Sequence, residues 1–385
     1  MLRLQKCILT RLFSSPSTSP ISPLHRLLSA AADSPAVSPT PSFAVEEYLV
    51  DTCGLTRAQA LKASAKLSHL KSPSKPDAVL AFLAGLGLAP ADIAAVVVKD
   101  PKFLCVGVEK TLGPVVGGLT GLGISRSEIS RLVSLAGISF RHRSIVPKIR
   151  YYLSLFGSSE NLLRALQRCC YLLGSDFNKV EPNVAFLQEC RLSVCDIAKL
   201  CTCKPRILAS KHERVRAMVA CAEGVGVPRG SRMFRHALHA VEPLNKEKIA
   251  AKSEYLKTTF RWSDAEVKIA LSKAPLMLTR SKDTLQRKSE FLSSEVGLEP
   301  LYIAHRPVML GLSLEGRLKP RYYVTKFLKE NGLLDRGKDY YSIVTISEKV
   351  FMDKFIRRHK EAAPHLAEDY ATTCRGEVPA RFRFT

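Results

Sequence analysis

Apolar residues along most of this chain recur at the three- and four-residue spacing of one helix face, as in Ile129, Leu132, Val133 and Ala136, or Ile197, Leu200 and Cys201. Several of these stripes open on a cap signature. Ser125 with Glu128 and Ser263 with Glu266 read as capping boxes, and Ser193 with Asp196 as the shorter analogue. Each stripe stops near a proline-containing tetrapeptide, because proline disfavours helix at the residue before it. The tetrapeptide stands at Pro101–Leu104, Pro205–Leu208, Pro275–Leu278 and Pro307–Leu310, with degenerate copies at Gly137–Phe140, Cys170–Leu173 and Val241–Leu244. A second marker, Gly87, Gly123, Gly157, Arg191, Gly226, Arg261 and Gly297, precedes each capped stripe at intervals of 34 to 36 residues. A period survives without fixed letters.

Between one tetrapeptide and the next marker lies a further helical stretch, and Pro114, Pro147, Pro182 and Pro320 occupy one place within it, where a first turn or a kink is expected. No segment sustains the period-two alternation of a half-buried strand. Two amphipathic helices cannot bury their stripes alone, whereas stacked copies share a continuous core. The pattern predicts an all-α, superhelical solenoid of about eight two-helix repeats of about 35 residues, its hand undetermined. The expected organisation is an N-terminal segment 1–42, a repeat domain 43–332 with a divergent first unit, and a less regular helical cap and tail 333–385.

Composition changes the picture at three points. Residues 1–42 hold Arg3, Lys6, Arg11 and Arg26 among Ser, Pro and Leu, with no acidic residue before Asp33, which predicts an organellar transit peptide followed by a disordered linker. A mitochondrial address is expected, with the chloroplast as the alternative. The longest charge-free runs, 78–91 and 111–125, are too short for the roughly 20 residues a bilayer crossing needs, so no membrane partner is expected. Eleven scattered cysteines, an odd number in apolar helical contexts, point to a reduced interior.

The third point is charge. Fifty-eight Lys and Arg against 35 Asp and Glu give a formal +23, which implies a polyanionic partner. Residues 199–240 carry nine basic residues against two acidic, and 241–330 carry 17 against 11. In a solenoid, equivalent positions of successive repeats line one face. Just after the tetrapeptides stand Arg141, Arg143, Lys211, Arg280 and Lys282. In the helices that follow stand Lys148, Arg150, Arg214, Arg216, Arg287, Lys288, Lys319 and Arg321. These thirteen are the candidate nucleic-acid-binding residues, read as a basic row for a phosphate backbone. Phe140, Tyr151, Tyr152, Tyr322 and Tyr323 lie near the row, where aromatic rings either stack on bases or fill the core.

The tetrapeptides at about 35-residue intervals, the opening YLVDTCGLTRAQAL and the ending SEKVFMDKFI with PHLAEDY together resemble the plant branch of the mitochondrial transcription termination factor (mTERF) family, over about residues 43–370. The resemblance implies a curved stack of helical pairs, each closed by a short 3₁₀ turn, that binds nucleic acid in mitochondria or chloroplasts. It implies roles in organellar transcription, including termination, and in some members RNA processing.

Other signals carry less. Cys190, Cys195, Cys201, Cys203 and His212 lack the paired spacing of zinc modules, and His236 with His239 has no further ligands nearby, so no metal is expected. The GxG sequences at Gly85, Gly121 and Gly224 follow no strand and read as helix C-terminal glycines rather than phosphate loops. No catalytic constellation is found, and no cofactor is expected. The expected function is a non-enzymatic, monomeric regulator of organellar gene expression that grips duplex DNA. The alternatives are an RNA-splicing or RNA-processing factor of the same fold and a helical-repeat scaffold for proteins.

Overall fold

The computed structural model describes residues 43 to 382, and the transit-peptide and linker reading of 1–42 lies outside them. Among the described residues every regular element is helical. Eight helix pairs follow one another from Val45–Asp51 with Arg57–Ser64 to Lys282–Glu290 with Pro300–His305. The apolar stripes of both helices in a pair point inward, and one continuous buried cluster runs from Leu49 to Val344.

Two backbone devices repeat at the phase the sequence marks. The first is a left-handed residue between the helices of a pair. Gly54, Gly87, Gly123, Gly157, Gly226, Gly297 and Gly332 have positive φ, and so do the two non-glycine markers, Arg191 (φ 63°) and Arg261 (φ 54°). The turn geometry therefore persists where the letter changes. The second is an extended residue before each tetrapeptide. Asp100 (φ −141°), Lys204 (−131°), Ala274 (−141°) and Arg306 (−125°) precede proline, which forbids them the helical region. Ala136 (−133°) and Cys169 (−150°) adopt the same conformation before Gly137 and Cys170. There the packing of the repeat imposes what proline imposes elsewhere.

After the break comes a short turn, 3₁₀ at Pro101–Cys105, Leu172–Gly174, Pro275–Thr279 and Pro307–Gly311, and one α-turn at Arg206–Ala209. The copy at 241–244 departs from this. The helix Phe234–Val241 runs through its first position without a break. Ser125–Glu128 and Ser263–Glu266 form capping boxes, as expected, and the Ser193 hydroxyl accepts from the Asp196 amide. Pro114 and Pro320 each follow a widened π turn, Val108–Leu112 and Leu314–Leu318, Pro147 sits in the first turn of Ile145–Phe156, and Pro182 lies inside Phe177–Glu189.

The C-terminal residues keep the phase. Lys319–Glu330 is a ninth first helix, and Tyr341–Val344 stands 34 residues after the tetrapeptide at Pro307. The chain then continues as Glu348–Phe351 and Met352–Ile356. With Leu366–Cys374 these pack on Val324 and Leu328 as a second buried cluster closed by Phe382.

Candidate nucleic-acid interface

The thirteen basic residues divide by what their side chains touch. Two lie inside. Arg321 exposes no surface, and Lys288 is 3 % exposed. Arg321 Nη1 donates to the carbonyls of Ile343 (3.0 Å) and Ile346 (2.8 Å), Nη2 bridges to Glu348 (2.8 Å), and the guanidinium lies 4.5 Å from the Phe351 ring. Lys288 Nζ donates to the Leu310 carbonyl at 2.9 Å, and burial pushes its pKa down to about 8, with the neighbouring Arg280 charge adding to the shift. Neither presents a charge to a phosphate, which corrects their place in the row. Their positions explain it: Leu285 and Leu292 flank Lys288, and Leu318 and Val324 flank Arg321, at helical spacing on the buried stripe.

Lys148 is half-buried in the same role, donating to the carbonyls of Leu173 (3.1 Å) and Ser175 (3.0 Å). Asn183, which sequence reasoning passed over, donates to Leu208 (3.1 Å) and Ser210 (2.8 Å), and Lys252 donates to the Arg280 carbonyl. Lys148, Asn183, Lys252, Lys288 and Arg321 thus stand at one phase of the first helix. Each reaches forward to carbonyls that the next repeat's tetrapeptide turn leaves without backbone donors. A row of cations in the sequence is partly a row of braces between repeats. The signal was their place on the apolar stripe.

Arg141 and Arg143 also span repeats. Arg141 Nε lies 2.7 Å from Asp100 Oδ2, and Arg143 donates twice to the Lys110 carbonyl while remaining exposed. The remaining eight reach solvent. Arg150, Lys211 and Arg214 are exposed and have no side-chain partner among the described residues. Arg216 donates to His212 Nε2 at 3.0 Å over the Phe186 ring, Lys282 lies 5.0 Å from the Tyr255 centroid, and Arg280 reaches the Gly311 carbonyl at 3.4 Å. Arg287 and Lys319 share Glu315, the latter at 3.4 Å. Such exposed pairs are weak, about 0 to 1 kcal/mol, and do not withhold a cation from a polyanion.

The phase carries further exposed cations outside the thirteen. Lys246 and Lys248 open the helix Lys246–Phe260, and beyond residue 332 Lys349, Lys354, Arg358 and Lys360 are also exposed. Of the carboxylates nearest that last group, Glu348 is taken by Arg321 and Asp353 by Arg357.

The aromatic residues are tied into the fold. Phe140 and Tyr152 are buried, and Tyr152 donates to the Leu172 carbonyl at 3.2 Å. Tyr151 packs between Tyr152 and Phe177. Tyr322 and Tyr323 both donate to Glu295, through its carbonyl and its carboxylate respectively, and burial raises both phenol pKa values. Among the cysteines weighed for metal, Cys190 and Cys201 are buried while Cys195 and Cys203 are exposed. Burial pushes the Cys201 thiol well up, which keeps it protonated. The glycines Gly87, Gly123 and Gly226 close helices in left-handed conformation.

An all-helical repeat solenoid whose successive first helices present exposed cations at one phase defines the class. The chain belongs to the mTERF family, whose sequence profile matches residues 58–352. It is similar to the Arabidopsis thaliana protein "Transcription termination factor MTEF18, mitochondrial", 21 % identical over 293 residues, which cover 76 % of this chain and 50 % of that one. It is also similar to "Transcription termination factor MTERF8, chloroplastic" of the same plant, 21 % identical over 295 residues, 74 % of this chain and 56 % of that one. The chain thus spans about half the length of the curated relatives it matches. Among the described residues no helix is long and apolar enough to cross a membrane.

Proposed function

We propose that this protein binds nucleic acid in an organelle and regulates gene expression there, with duplex DNA as the ligand and transcription termination as the outcome. The observation that carries this reading is a set of exposed cations without acidic partners, Arg150 on one first helix and, at matching places 35 and 34 residues apart in two successive repeats, Lys211 with Arg214 and Lys246 with Lys248. Phosphates spaced along a backbone match a periodic row of positive charge, and their neutralisation releases counterions. Duplex is favoured over single strands because the rings near the row are held by hydrogen bonds and packing, leaving little aromatic surface for unstacked bases. The names of both relatives, one mitochondrial and one chloroplastic, support an organellar address, and the Arg- and Ser-rich residues 1–42 favour the mitochondrion.

Competition binding tests the ligand. A labelled duplex is displaced by unlabelled duplex DNA, single-stranded RNA and double-stranded RNA at one salt concentration. Duplex DNA is expected to compete best. Stronger competition by RNA transfers the function to RNA processing within the same fold, and no binding to any of them removes nucleic acid as the partner.

A further inference from the structure

The brace between repeats is missing where an apolar residue takes its place, as at Val115 and Met218. Met218 stands where Lys148, Asn183, Lys288 and Arg321 stand in other repeats, and no side chain reaches from it to the following turn. The helix break is also absent there, since the helix Phe234–Val241 runs on into Val241 and a single bond from the Leu244 amide to the Val241 carbonyl at 2.9 Å stands in for the 3₁₀ segment. Both losses fall at one place, and a cleft of about 450 Å³ opens between the two repeats. Arg214 and Ser210 line one lip, Lys246, Lys248 and Asn245 the other, and Met218 the floor.

Charge on the lips is unbalanced. Arg214, Lys246 and Lys248 have no acidic partner among the described residues. Two carboxylates line the cleft. Glu242 is held by Lys204 at 3.0 Å, which leaves Glu247 alone against three cations. The Lys204–Glu242 pair and Arg235–Asp196 at 3.3 Å tie Phe234–Val241 back to Val194–Cys203 of the preceding repeat, so neither spans the cleft. The first-helix side of the cleft is open and positively charged. Like charges on facing lips repel in the absence of an anion, and an anion between them reverses the sign of that interaction.

Building on the nucleic-acid reading above, we propose that this cleft is a two-lipped phosphate clamp. A backbone phosphate seated between Arg214 on one repeat and Lys246 and Lys248 on the next draws the unbraced repeats together. This junction is then where the solenoid adjusts to its ligand, whereas the braced junctions hold their spacing.

The test uses the full chain with a DNA duplex of roughly three helical turns, read by salt-titrated binding and by hydrogen–deuterium exchange. Addition of duplex is expected to slow exchange in residues 244–249 and 214–221. In the variant Lys246→Gln with Lys248→Gln, the slope of log affinity against log salt should fall by about 0.9, the value for one phosphate no longer neutralised, and the added protection should disappear. Lys62→Gln with Lys66→Gln removes the same charge from exposed positions of the first repeat and should leave both readouts unchanged. If the wild type binds duplex with a steep slope while exchange at both lips and the slope of the 246/248 variant stay as they were, the clamp is wrong and the nucleic-acid reading stands. If the wild type binds neither duplex nor RNA, both fall together.

Discussion

Arg321 carries more of the C-terminal packing than any other polar side chain of the chain's end. Its guanidinium joins three backbone carbonyls, Glu348 and the face of Phe351, and Glu348 in turn accepts from Tyr370. Arg321→Met should therefore cost about 3 kcal/mol, since it orphans buried carbonyls and unpairs Glu348; urea denaturation of the variant measures it. Lys288 makes the opposite case. Its ammonium is buried without an acid, so the folded pKa of about 8 lies below the ordinary 10.5. Between those values the unfolded chain holds a proton that the folded chain has released, so stability from this group rises with pH across that window and is penalised below it. Lys288→Met leaves the Leu310 carbonyl without its donor at every pH but removes the pH-dependent penalty, so its stability relative to the wild type should be higher at pH 7 than at pH 9.5. A difference independent of pH would show that Lys288 is not the titrating group. At this scale charge identity was legible in the sequence and its direction was not. The same letters serve as braces at 148, 288 and 321 and as solvent-facing cations at 150, 211 and 214. The apolar neighbours at three- and four-residue spacing are the discriminating feature.

The repeating elements were legible because their punctuation is steric. The left-handed marker and the extended residue before the tetrapeptide recur even where the glycine or the proline has been lost, as at Arg191, Arg261, Ala136 and Cys169. Arg261 accepts a backbone conformation that costs a side chain about 1 kcal/mol. Arg261→Gly should consequently raise the stability by about 0.5 to 1 kcal/mol, seen as a higher denaturation midpoint at constant slope. What the spacing did not disclose was the failure of the copy at 241–244. Val241 and Leu244 keep the apolar letters of the motif, but with Pro243 in its third place rather than its first, nothing breaks the helix before Val241. The C-terminal copy at Tyr341–Val344 escaped for the converse reason, since it keeps the phase and the brace from Arg321 with none of the proline signal.

On the scale of the whole molecule, the net +23 resolves into cations spent on internal carbonyls, cations traded with carboxylates across repeats, and a remainder facing water. Only the remainder can release counterions from a phosphate backbone. The measurement that bears most directly on this division compares two sets of replacements by salt-titrated duplex binding. Arg150, Lys211, Arg214 and Lys282 are all exposed, and their joint replacement by Gln should flatten the slope of log affinity against log salt by about 3.6. Replacing buried Lys288 by Met should leave the slope unaltered. A slope untouched by the exposed set, or one that falls with Lys288 alone in a fully folded variant, would contradict the placement of the interface on these repeats.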